Sequence, residues 1–197
     1  MTKHRLELFS DGVFAIVLTL LVLDLRLPTA FGSAELLEIA PELLVHAATF
    51  FAVGVLWMVH HGALARVLEI STKTLLLNLL ALFWITLLPF AAKNAAERPF
   101  DPLGASLMAA SCGAYVASIV VMRLSAHSAI DDNPKLRRWR RRRILLGSGI
   151  ALTNIAGGIL SWILPWVGYA AALATMVLLL VLPSPPEAEK RVEQEIV

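Results

Sequence analysis

With a single cysteine, Cys112, set in an apolar stretch, this 197-residue chain can form no intrachain disulfide, no CxxC redox pair and no thiolate metal site. Charge is scarce too. Asp, Glu, Lys and Arg make up 16% of the residues against 58% hydrophobic ones, and a mean hydropathy of +0.73 excludes an ordinary soluble domain in favour of a polytopic membrane protein. The formal net charge of +2 gives no reason to expect nucleic acid, because the basic residues are concentrated in one loop, "KLRRWRRRR" at 135–143, rather than spread over a folded face. Phosphate-loop and zinc-protease signatures and a nucleophile paired with a base are also missing, so neither an enzyme nor a cofactor is expected. His60 and His61 make poor metal ligands: adjacent helical residues point about 100° apart, and no other His or Cys lies at a ligand spacing. No internal repeat occurs, since "FSD" appears once.

What is present is a series of six apolar segments, at 8–27, 43–65, 74–96, 103–124, 144–164 and 167–183, each near the ~20 residues a spanning helix needs. The expected fold is therefore an all-α integral membrane protein of six transmembrane helices in one domain, residues 1–183, followed by a short polar tail at 184–197. Lys3, His4 and Arg5 resemble the start of a signal peptide, but Glu7 and Asp11 interrupt the apolar run, so the first helix is expected to stay. With both termini in the cytoplasm, only Arg26, Lys93 and Arg98 of the 17 Lys and Arg fall outside, as the positive-inside rule requires of a multi-pass protein of a cell membrane. The basic run then serves as a headgroup anchor between helices four and five, with a specific anionic-lipid site as the less common alternative. The external stretch 27–43 is expected to carry a short interfacial helix before Pro41, and the small residues of "LGASLMAASCGAY" suit close helix packing.

The first segment, "FSDGVFAIVLTLLVLDL", poses a problem of length. Twelve uncharged residues separate Asp11 from Asp24 and rise about 18 Å as a helix, whereas the hydrocarbon core is about 30 Å thick. Either the helix stops short, or it spans with an acid buried in protein. With Ile16 at the origin, about 100° per residue puts Leu20 at about 40° and Leu23 at about 340°, one apolar stripe with Thr19 adjacent at about 300°. Asp11 falls at about 220°, away from that stripe, and needs partners from neighbouring helices because an unpaired intramembrane charge is costly. Trp57, His60 and His61 near the inner end of helix two, and Asn78 near the inner start of helix three, lie at a matching depth. By composition alone, an Ile and Leu stripe is more often a packing face than a pore. An acid with imidazoles also suits a proton relay, so a proton-coupled transporter or proton leak using Asp11 with His60 or His61 is the alternative class.

"RLELFSDGVFAIVLTLLVLDL", the Trp and His of helix two and "LNLLALFWITLLPF" of helix three resemble the transmembrane protein 175 family of potassium channels, over roughly the first 95 residues. The single set of six helices is similar to the bacterial branch of this lysosomal channel family, in which four chains would close the ring that animal members build from fused repeats. The resemblance implies a homotetramer in which the first helices line a central potassium-permeable pore without a carbonyl filter, and no TVGYG-like stretch occurs here. It implies a hydrophobic constriction at Ile16, continued by Leu20 and Leu23, with Thr19 as the selectivity candidate and Asp24 as a candidate at the pore mouth. It further implies that Arg5, Phe9, Ser10 and Asp11 lock helix one against Trp57, a helix-two histidine and Asn78. Whether His60 or His61 takes that part stays open. The implied partners are the bilayer and potassium ions.

Overall fold

In a computed structural model, residues 2–25, 33–67, 70–125 and 134–181 are described, and every regular element among them is helical. Helix α1 (Lys3–Leu20) starts at Thr2, whose hydroxyl accepts from the Arg5 amide, and it tightens into a 3-10 turn at Leu21–Asp24. Eighteen α-helical residues and four 3-10 residues together rise about 35 Å. The helix does not stop short: it begins two turns before Asp11 and is long and apolar enough to cross a bilayer.

The elements that follow are α2 (Ser33–Leu64), α3 (Thr72–Thr86), α4 (Leu88–Glu97), α5 (Pro102–Ser125), α6 (Pro134–Leu160) and α7 (Trp166–Val181). Five stretches are long and apolar enough to cross a membrane: Lys3–Leu23, Ile39–Leu64, Thr72–Glu97, Pro102–Ser125 and Arg137–Leu160. The sixth, α7, is apolar but has only 16 residues and rises about 24 Å. Three boundaries differ from expectation. Helix α2 runs unbroken through Pro41 from Ser33, so no separate interfacial helix precedes the proline. The third segment is two helices, because Pro89 lacks the N–H that would continue the ladder and the chain turns at Leu87. The basic run is no loop: residues 137–143 form early turns of α6, as arginine's high helix propensity and the absence of glycine before Gly147 allow. The residues 26–32 and 184–197, where Arg26 and the tail fall, lie outside the described residues.

Contacts fix which ends lie together. Lys3 Nζ donates to the Ala65 carbonyl at 2.6 Å, the Arg66 guanidinium stands 5.2 Å from the Trp139 ring, and Arg140 donates to the Arg123 carbonyl at 2.8 Å. That end carries the basic residues, the side that the positive-inside rule expects to face the cytoplasm. At the opposite end His46 Nδ1 lies 3.3 Å from the Leu21 carbonyl, the imidazole donating to it.

Helix α5 is the core of the bundle, packed on α3, α4, α6 and α7. Its small residues allow this: Gly104, Ala105, Ala109, Ser111, Cys112 and Gly113 are all buried. Lipid tails are as apolar as leucine, so such an interface is held by close packing and interhelical hydrogen bonds. The Ser106 hydroxyl donates to the Gly158 carbonyl at 2.7 Å, and a Cβ placed on Gly168 of α7 would sit 2.6 Å from the Ala105 carbonyl oxygen. Gly168→Val is expected to push α7 off α5 and cost about 1–3 kcal/mol, read as a lower melting temperature in detergent. An unchanged midpoint would mean that α7 is not seated on α5.

Candidate functional site

Helix α1 has two faces of different chemistry. Leu6, Ser10, Phe14, Val17 and Leu21, spaced three or four residues apart, are buried against α2 and α3. Ile16, Leu20 and Leu23 lie on another face and are 60%, 44% and 76% exposed. The 3-10 turn preserves this stripe, because residues three apart eclipse in that geometry and Leu23 falls over Leu20. Thr19 is exposed beside it; its hydroxyl donates back to the Ile16 and Ala15 carbonyls at 2.8 and 3.1 Å, which leaves oxygen lone pairs facing outward. The backbone of Asp24 ends the turn, and its side chain lies outside the described residues.

The buried face is tied down by polar groups that no water reaches. Ser10, His60 and Asn78 are all within 1% of full burial. The Ser10 hydroxyl donates to the Leu6 carbonyl at 2.9 Å and lies 3.2 Å from Asn78 Nδ2, from which it accepts. His60 Nε2 lies 2.9 Å from Asn78 Oδ1; a carbonyl oxygen only accepts, so the imidazole proton sits on Nε2 and donates. Asn78 is thus the centre, using its two ends for α1 and α2 at once. Aromatic rings close the site: Phe14 of α1 meets the His60 ring edge-on at 5.3 Å, and Tyr115 of α5 stacks on it at 6.2 Å while donating to the Leu56 carbonyl at 2.7 Å. A second tie lies nearer the surface, where Trp57 Nε1 donates to Asp11 Oδ1 at 2.7 Å and His61 packs 5.8 Å from the same indole.

Of the residues singled out in the sequence, the structure brings together Ser10, His60 and Asn78 in one set, and Asp11, Trp57 and His61 in another. Between the histidines it is His60 that faces Asn78. Arg5 and Phe9 are exposed and lie outside both hydrogen-bonded sets among the described residues. Phe14 and Tyr115 were not anticipated. Their available signals were Phe14 one turn beyond Ser10, and Tyr115 as the lone aromatic in a segment of small residues. No group of three or more His, Cys, Asp or Glu able to hold a metal occurs among the described residues.

The helical architecture, with apolar spans and an intramembrane polar lock on its first helix, defines a multi-pass membrane protein whose first helix is fixed on one side and bare on the other. A family model described as "Endosomal/lysosomal potassium channel TMEM175" matches residues 5–89. A potassium channel of Chryseobacterium sp. is 34% identical over 142 residues, 70% of this chain and 71% of that one. A potassium channel of Chamaesiphon minutus is 31% identical over 186 residues, covering 86% and 90% of the two. The zebrafish endosomal/lysosomal proton channel TMEM175 is 38% identical over 111 residues, 50% of this chain and 21% of that protein. The fold matches the crystal structure of a lysosomal potassium-selective channel TMEM175 homolog from Chamaesiphon minutus with a TM-score of 0.70, at 24% identity, over 91% of this chain and 96% of that one. The chain belongs to the TMEM175 family. Its relatives are named ion channels, not enzymes.

Proposed function

We propose that the protein is a passive potassium channel of a bacterial cell membrane, in which four copies of the six-helix domain at 1–183 surround a pore lined by α1. The observation that carries this is the asymmetry of α1: one face is locked by Ser10 and Phe14, and the face bearing Ile16, Leu20 and Leu23 is left uncovered by the protomer. A closed cyclic arrangement gives that stripe the same surroundings in every copy. Four Ile16 side chains then form a constriction too apolar to hold water when narrow, which gates by dewetting, and Leu20 and Leu23 extend it. Thr19 supplies oxygen lone pairs that replace part of a cation's hydration shell, and Asp24 at the outer mouth concentrates cations.

The relay alternative finds less support. Asp11 spends an oxygen on the Trp57 indole and His60 spends Nε2 on Asn78, so each hydrogen-bonds a side chain that does not carry protons at neutral pH. Proton permeation through a water-filled pore is a separate matter, and the zebrafish relative is named a proton channel. Liposome flux with potassium, sodium and proton-only gradients tests the reading: potassium flux exceeding sodium flux, without need of a proton gradient, is expected. Flux that appears only with a proton gradient and saturates with substrate would replace the channel with a coupled transporter.

The ring has its own test. Leu23→Cys in a Cys112→Ala background is expected to oxidise to disulfide-linked dimers, within a particle of four times 21.5 kDa by light scattering. A particle of one or two chains would rule out the fourfold arrangement.

A further inference from the structure

The charged end of α6 is not used by the conduction reading. Arg137, Arg138, Arg141 and Arg142 are exposed, and none of them forms an ion pair or hydrogen bond with the other described residues. They stack as two like-charge columns, Arg137 over Arg141 and Arg138 over Arg142, at the i,i+4 spacing where such pairs oppose helix formation. Arg137 also closes the first turn of the helix, where the macrodipole disfavours a cation. An anion bound between the two columns relieves their repulsion.

The depth of the run selects the anion. The candidate span of α6 begins at Arg137 and continues without interruption to Leu160, so the arginines continue a transmembrane helix at headgroup level rather than projecting on a solvated arm. Trp139 is half-buried within the run, the placement of an interfacial anchor, and its Nε1 is buried without a hydrogen-bond partner among the described residues. We infer that the exposed arginine face of α6 beside Trp139 is a binding site for an anionic phospholipid headgroup of the inner leaflet. Arginine forks pair two-pronged with phosphate oxygens, and two columns offer four of them to one or two headgroups.

The position of the site gives it a route to α1. The Arg66 guanidinium lies 5.2 Å from the Trp139 ring, its neighbour Ala65 accepts from Lys3 Nζ, and Lys3 opens the helix that carries Ile16. Lipid seated on Trp139 therefore bears on the connection that holds the base of α1.

Binding is tested on the full chain in nanodiscs. Phosphatidylglycerol brominated high on its acyl chains is expected to quench a tryptophan component that Trp139→Phe removes, whereas equally brominated phosphatidylcholine leaves that component unquenched. By native mass spectrometry, the wild type is expected to retain phosphatidylglycerol over phosphatidylcholine by at least about tenfold. Replacing Arg137, Arg138, Arg141 and Arg142 by Gln abolishes that preference, and Lys73→Gln, which removes an exposed charge elsewhere on the same side, leaves it. Equal quenching of wild type and Trp139→Phe overturns the site without requiring the fourfold variant to fold. A preference that survives the four Gln substitutions overturns it as well. Displacement of phosphatidylglycerol by equimolar inorganic phosphate would show a soluble-anion site and overturn the lipid assignment.

Discussion

Ile16→Asn is expected to raise potassium flux from liposomes by about tenfold, equivalent to lowering the conduction barrier by about 1.4 kcal/mol. An apolar constriction blocks ions because water leaves it, and an amide gives water hydrogen-bond partners there while its smaller volume widens the ring, so both changes favour wetting. The substitution disturbs little else. Ile16 is 60% exposed in the protomer, so no packed core is opened, and the difference in helix propensity between Ile and Asn is a few tenths of a kcal/mol. Val17, one residue on, is the control: it is 2% exposed, and Val17→Asn buries an amide among hydrocarbon and is expected to lower protein stability without a rise in flux per folded channel. If Ile16→Asn conducts no better than wild type, the constriction lies elsewhere. If Val17→Asn raises flux as much, α1 presents a different face to the pore.

The two faces of α1 were legible in the sequence because polar residues are few enough in an apolar helix to fix its rotation. Ser10 and Asp11, about 100° apart, mark the sides that need polar partners, and the Ile16, Leu20 and Leu23 stripe lies clear of both. Other features were hidden for physical reasons. His60 and His61 are separated by about 100°, so choosing between them needs the phase of α2, which depends on how it packs against α1 and α3. The continuation of α2 through Pro41 defies the usual cost of about 3 kcal/mol for a mid-helix proline. Leu37, whose carbonyl loses its amide partner there, is on an exposed turn of that helix, 75% accessible. The helical state of residues 137–143 was masked by charge, which reads as loop although arginine is a good helix former. Tyr115 stood out only as the lone aromatic of its segment; its role depends on α5 passing behind α2, a tertiary fact that no local pattern encodes.

These features share a division of labour. Small residues let α5, α6 and α7 pack into a fixed body, whereas among the described residues α1 and its 3-10 extension are held to α2 and α3 by a few polar groups: the lock at Asn78, the tie at Trp57, and the end contacts of Lys3 with Ala65 and of Leu21 with His46. A gate made by moving α1 needs such an arrangement, with one face held by a few directional bonds and the other free of contacts that must be broken.

The lock therefore sets the second large effect. Asn78→Ala is expected to destabilise the protein by about 2–4 kcal/mol, because it strands both the His60 Nε2–H and its own share of the Ser10 contact in a site that water does not enter. Ser10→Ala should cost less, about 1 kcal/mol, since the Leu6 carbonyl it leaves keeps its helical amide partner and only the Asn78 amide loses an acceptor. Trp57→Phe should cost least, as the Asp11 carboxylate lies only partly buried and can recruit water. Thermal midpoints in detergent rank the three, and the flux assay supplies the second readout. Loosening α1 on its locked side is expected to raise leak in Asn78→Ala while Gly168→Val, which disturbs the seat of α7 on α5 rather than the polar contacts of α1, lowers stability without leak. A double cycle of Ser10→Ala with Asn78→Ala should be non-additive, because the two share one hydrogen bond. Additive midpoints, or leak that follows melting temperature alone across all the variants, would mean that the buried trio holds the fold together without governing the pore helix.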